Sequence, residues 1–208
     1  MGSRVCRDTI LALHEITITN NNIINNTGRD DAFYEGSAIK HCFNGQATIT
    51  GNRIHDNGTA SSGSIIWIHS YEATRYVTLE NNEISNNEAT NTVFLSNGSG
   101  IPVIQNNNFH NNSTTHDFRP QMNPGTAGII VDIDNNWWGS SSDTTIQSRI
   151  FDWNDDVDYK LADYTPFLTA PSTTAPPSPP ANVAAQTGPT TIALTWDANP
   201  EADITGYK

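Results

Sequence analysis

One asparagine recurs through this chain in a fixed frame. It stands at Asn21, Asn52, Asn82, Asn107 and Asn136, at intervals of 31, 30, 25 and 29 residues. Each follows an apolar residue by three positions (Ile18, Ile49, Leu79, Ile104, Ile133) and precedes another by two (Ile23, Ile54, Ile84, Phe109, Trp138). A second column follows at Asn26, Asn57, Asn87 and Asn112, and a further apolar element lies upstream in the successive units, as ILAL, SAI, SIIWI and TVFL. Self-similarity at a period of about 20 to 50 residues marks stacked units, none of which can bury its own apolar face alone.

The recurring residue is an amide for a physical reason. In a stack of coils about 4.8 Å apart, a side chain at one place in the unit meets its copies above and below. An asparagine turned inward can donate its amide to the oxygen of the next copy, so a column satisfies itself as a ladder. Asparagine also tolerates the left-handed backbone that a one-residue bend between strands requires. The asparagines therefore read as solenoid corners rather than as ligand contacts, and the chain is expected to be all-β.

Charge and composition limit the partners. Acidic residues outnumber basic ones by 22 to 10, a net charge of −12, which argues against nucleic acid or an anionic membrane surface. Only 15% of the 208 residues are charged, and the rest of the polar content suits tight turns between short strands. No apolar run approaches the ~18 residues of a membrane span. The opening MGSRVCRDT lacks an apolar signal core and reads as a leader on a cut first coil, residues 1–7. Cys6 and Cys42 fit either one bridge between neighbouring coils or two buried thiols.

With the repeats laid out, the chain resembles the right-handed parallel β-helix proteins related to pectate lyases, in particular secreted bacterial ones whose last coil carries NNWWG. Here that stretch is DIDNNWWGSSS at 132–142, followed by SRIFDWNDDVDYKLADYTPFLTAPS, similar to the closing segment of such proteins. The resemblance covers residues 8–170 and implies about five coils, with an extracellular or cell-surface location. It implies a fold more than an activity, since such solenoids serve enzymes, adhesins and stalks alike.

Where substrate binds in that family, it lies along the outer face of one sheet, which here is built from the upstream elements. Alternation sends Leu11, Leu13, Ile39, Ile66, Ile68, Val93 and Leu95 inward. The outward columns are then Ala12, Ala38, Trp67 and Phe94 and, two residues along, His14, Lys40, His69 and Ser96. An exposed aromatic pair beside a basic column suits an extracellular polysaccharide carrying carboxylates or sulfates: ring stacking on Trp67 and Phe94, donors from Lys40, His14 and His69, with Tyr71 and Arg75 nearby. The opposing reading has Trp67 and Phe94 covered and the histidines merely solvated. Catalysis has less support, because lyases of this family hold calcium with carboxylates on that face and related hydrolases need spaced acid pairs. No Asp or Glu falls on these columns. A weak calcium candidate is the cluster Asp152, Asp155, Asp156 and Asp158, whose spacing departs from known loops. His110, His116 and Asp117 lack a zinc spacing, and no other cofactor is implied.

The C-terminal part differs in kind. PSTTAPPSPPAN, residues 171–182, is a proline-rich linker with an extended preference. Residues 183–208 resemble the opening strands of a fibronectin type III domain, with Trp196 in the core place, yet such a sandwich needs ~100 residues. An open first coil or an incomplete sandwich would offer unpaired strands to a second copy, so a self-associating stalk is the structural alternative to polysaccharide binding.

Overall fold

Short apolar segments broken by asparagine pairs cannot form long strands; they form many short ones that change direction together. The computed structural model describes residues 15–28, 36–42, 46–59, 63–69, 77–96, 102–120, 130–202 and 204–206. The first coil comprises β1 (Ile16–Thr19), β2 (Asn22–Ile24), β3 (Thr27–Gly28) and β4 (Gly36–Cys42). The second repeats them as β5 (Ala47–Thr50), β6 (Arg53–His55), β7 (Gly58–Thr59) and β8 (Ser64–His69). In the third, β9 (Val77–Glu80) and β10 (Glu83–Ser85) are followed by one long strand, β11 (Glu88–Ser96); the fourth has β12 (Val103–Gln105), β13 (Asn108–His110) and β14 (Ser113–Pro120). Each strand pairs in parallel with its copy in the next coil. The result is three parallel sheets, β1-β5-β9-β12, β2-β6-β10-β13, and a third in which β3, β7, β4 and β8 meet β11 and β14. The molecule is thus essentially all-β and solenoid-like.

Register puts like on like. Ile23, Ile54, Ile84 and Phe109 form one inward column, extended by Trp138, whose ring stacks on Phe109 at 4.6 Å. Ile18, Ile49 and Leu79 form a second, continued by Ile104, and Ile39, Ile66, Val93 and Phe118 a third. From the second coil onward these side chains are essentially inaccessible to water, each contributing roughly 1.5–3 kcal/mol of burial free energy. Leu11 and Leu13 lie outside the described residues.

Both asparagine ladders are present. Along the first, each Nδ2 donates to the Oδ1 of the following copy: Asn21 to Asn52 at 3.1 Å, Asn52 to Asn82 at 3.0 Å, Asn82 to Asn107 at 2.9 Å and Asn107 to Asn136 at 3.0 Å. The second joins Asn26, Asn57, Asn87 and Asn112 in the same way. The same Oδ1 also accepts the backbone N–H of the preceding ladder residue. The expected left-handed bend is displaced by one position. It falls on the residue before each rung, at Asn20, Gly51, Asn81, Asn106 and Asn135 for the first ladder, with φ between 53° and 67°. For the second ladder it falls on Asn25, Asp56, Asn86 and Asn111. The asparagine pairs thus divide the labour: the first residue turns the chain and the second builds the rung. Asn106→Gly should accordingly be close to neutral, whereas Asn106→Ala should cost about 1–2 kcal/mol in urea unfolding.

A last partial coil closes the stack. It begins at β15 (Ile130–Asp132), which pairs with β16 (Leu161–Asp163), and Trp137 bridges to Asn108 in the second sheet. Between them the short helix α1 (Asp143–Gln147) turns the chain so that Ile150 bridges to Phe118. Arg149, next to it, covers the open end of the third sheet. Its guanidinium donates to the carbonyls of Asn112 and Thr114, the Thr114 hydroxyl and both carboxylate oxygens of Asp117.

Residues 171–180 do not run free of the solenoid, as a linker would; they lie back across the outer face of the second sheet. Beyond them, β17 (Ala184–Thr187) and β18 (Ile192–Thr195) form an antiparallel hairpin, every residue of which is exposed. Trp196, expected as a core residue, is 38% exposed. Cys6 lies outside the described residues and Cys42 ends β4.

Candidate functional site

The outer face of the third sheet carries a column different in composition from the one expected. A register irregularity between Gly36 and Ile39 shifts the first coil, so Lys40 rather than Ala38 stands beside Trp67. The fourth coil contributes Arg119, giving Lys40, Trp67, Phe94 and Arg119 in one row. Cations and aromatics are matched along it. Lys40 Nζ sits 5.1 Å from the Trp67 ring centroid, and the Arg119 guanidinium lies 5.9, 5.0 and 5.2 Å from the rings of Phe94, Phe151 and Tyr159. Arg119 also donates to the Tyr159 hydroxyl. Trp67 and Phe94 are only 4% and 8% exposed. The expected exposed aromatic pair is therefore a buried one, flanked by cations from neighbouring coils. Lys40 itself is exposed, and Ser96 is buried. The backbone of His69 pairs with Cys42 and Ser96; its side chain lies outside the described residues, as do His14, Tyr71 and Arg75.

The acidic cluster builds a turn. Asp152 is fully buried, and its two carboxylate oxygens accept the backbone N–H groups of Asn154 and Ala162, both at 2.9 Å. Asp155 accepts the N–H of Asp152, and Asp156 that of Asp158. Among the described residues no group of three or more His, Cys, Asp or Glu comes together as a metal site. His110, His116 and Asp117 are spread apart. His110 contacts Glu83 on the second sheet, His116 packs against Phe151 and Asp117 belongs to Arg149.

His116 has its pKa lowered from 6.5, first by burial and then by the charge of Arg119. Below pH ~6.5 the unfolded chain binds this proton and the folded one does not, so stability falls with pH until the folded pKa is reached. The His116→Gln variant should lose part of the difference in urea midpoint between about pH 7.5 and pH 5.

A second face, built by the second sheet, carries features that no motif in the sequence marks. Outward from the second sheet point Asn22, Arg53, Glu83 and Asn108 in one column and Ile24, His55, Ser85 and His110 in the next. The proline-rich strap is fastened to this face by side chains from successive coils. The Asn108 amide pairs with both the N–H and the carbonyl of Ser172, the Thr174 hydroxyl meets Asn81, and Arg53 Nε donates to the Pro177 carbonyl at 2.8 Å. Beneath it, His110 Nε2 lies 2.5 Å from Glu83 Oε1, with Glu83 fully buried. At the end nearest the first coil the strap stands off the sheet and leaves an open cavity of about 670 Å³. Asn22, Arg53 and His55 line its floor; Pro177 to Pro180, Asn199 and Ile204 to Gly206 line the other side. No sequence pattern could locate it, because the contacts join residues as much as 124 positions apart.

Fold and site define a parallel, solenoid-like all-β protein with self-satisfying asparagine columns and one strap-bounded cavity described on its outer face. No family model matches the chain, and neither a curated protein nor a solved structure matches it.

Proposed function

We propose that this chain is a scaffold module of a secreted or surface-anchored bacterial protein: a right-handed parallel β-helix of the pectate-lyase-like, NNWWG-bearing type, carrying a fibronectin type III-like segment. The observation that carries this reading is where the polar chemistry is spent. The ladder amides bond to one another and to backbone carbonyls, Asp152 to two backbone N–H groups, and Arg119 to aromatic rings. Such groups rigidify a stack; they are not held in reserve for a reacting substrate. A stack of this kind sets a fixed spacing between whatever adjoins its ends.

A second reading, engagement of extracellular polysaccharide by the outer face of the third sheet, is favoured by Lys40, exposed and held over the Trp67 ring. One assay separates the two. The full chain is incubated with acidic and neutral polysaccharides, and both retention and product are followed, the latter as new reducing ends and as ultraviolet absorbance of unsaturated ends. Scaffolding predicts neither retention on that face nor product. Retention abolished by Lys40→Ala selects the second reading, and product formation would replace both with a lyase or hydrolase.

A further inference from the structure

We infer that the cavity between the second sheet and the strap is a binding site for the oxyanion group, carboxylate, sulfate or phosphate, of a small anionic ligand, with Arg53 as its cation and His55 beside it on the floor. Both residues belong to β6 and, two apart on a strand, share its outward face. Arg53 uses one donor, Nε, on the Pro177 carbonyl. Arg53 lines the cavity, and the two terminal nitrogens of a guanidinium suit the paired oxygens of an anion.

Among the described residues no carboxylate lies within 4 Å of Arg53, whereas Arg149 is paired with Asp117 and Arg119 is spread over three rings. Three neighbouring carboxylates each hold another group by one oxygen: Asp56 holds His55 Nδ1 at 2.7 Å, Glu83 holds His110, and Glu201 holds the Ser178 N–H at 2.6 Å. His55 meets an acceptor at each ring nitrogen, Asp56 Oδ2 and Asn22 Oδ1. With both ring nitrogens engaged, the imidazole is held in one orientation on the floor of the site beside Arg53.

Size and lining define the rest of the ligand. A cavity of about 670 Å³ is much larger than an inorganic ion and within the usual range for small-molecule sites, ~300–1,000 Å³. The oxyanion is therefore the head of a larger molecule, whose body meets Pro179, Pro180 and Ile204, with the Thr205 hydroxyl as a further partner. In a protein of net charge −12 such a site is local, because beyond about 8 Å at physiological salt the surrounding charge is largely screened.

The test titrates the full chain separately with sulfate, phosphate and glucuronate at constant ionic strength, following backbone amide shifts, with methyl glucoside as the neutral control. Saturable shifts at Arg53, His55 and Asn22 are expected for at least one anion, which also identifies the preferred head group, and none for methyl glucoside. Arg53→Gln should weaken binding about tenfold to a hundredfold. Because Arg53 also holds the strap, hydrogen exchange at the Ser178 amide is read in the same variant. If that protection is lost, Arg53→Lys, which keeps a donor for the Pro177 carbonyl but lacks the guanidinium fork, becomes the deciding variant and should weaken binding several-fold. Absence of saturable binding by all three anions, shifts of equal size with methyl glucoside, or unchanged affinity in the deciding variant would overturn the assignment.

Discussion

Replacing Asn82 with alanine is expected to destabilise the protein by about 4 kcal/mol, lowering its melting temperature by roughly 10 °C. The side chain sits mid-ladder and is inaccessible to water. Its Nδ2 donates to the carbonyls of Ile49 and Glu80 and to Asn107 Oδ1. Its Oδ1 accepts both the backbone N–H and the side-chain amide of Asn52. Alanine removes these five interactions and strands the Asn52 N–H in an apolar stack; each buried orphan costs about 1–3 kcal/mol. The same substitution at Asn21, the exposed end of the described ladder, should cost about 1 kcal/mol or less, because only donors to Asn52 and Thr19 are lost, from a residue that water reaches. Urea unfolding of the two variants measures the contrast directly. Equal losses at Asn21 and Asn82 would mean that the column is not a cooperative ladder.

Arg149→Met should be comparably severe, about 3–5 kcal/mol, for a different reason. Asp117 is 4% exposed, and Arg149 supplies two hydrogen bonds to its carboxylate together with the only cation in an ion pair with it among the described residues. Without the guanidinium a buried carboxylate remains with the hydroxyls of Thr92 and Thr114 alone, and the Asn112 and Thr114 carbonyls lose their donors. The double variant Arg149→Met/Asp117→Leu removes the stranded charge as well. It should recover a good part of the loss, since an uncompensated charge is worse than none. Chemical denaturation of the single and double variants decides whether the cap acts through charge pairing. No recovery would assign the loss to the carbonyls instead.

The repeat was legible because every rung of the ladder needs the same residue. Spacing alone located Asn21, Asn52, Asn82, Asn107 and Asn136, and the inward isoleucines between them, since a solenoid makes each coil's pattern a copy of the last. The left-handed residue was harder to place, because in an Asn-Asn pair both members suit both jobs. Gly51 and Asp56, which stand in the turning position where the pattern departs from asparagine, held the clue. The strand that the fourth coil adds to the third sheet, Ser113–Pro120, escaped detection since STTHDFRP has no apolar alternation. It faces the capping segment, and its polar groups are met there by Arg149 and Tyr159. Without it Arg119 was missing from the outer column, so Trp67 and Phe94 read as exposed rings rather than as rings sandwiched by cations. The docking of the strap was not legible. Proline-rich composition dictates the local conformation, whereas docking depends on Asn108, Asn81 and Arg53, each on a different coil. The cavity follows from that docking and was invisible for the same reason.

The ladder amides are sealed inside the stack, and side-chain amide hydrogen exchange followed by NMR tests this most directly. The Nδ2 protons of Asn52, Asn82 and Asn107 should exchange only through global unfolding, as slowly as the backbone amides of Ile49 and Ile84, whereas those of the turning residues Asn86 and Asn111, which are exposed, should exchange almost freely. Equally fast exchange at rungs and turns would contradict the ladder, and with it the reading of this chain as a scaffold.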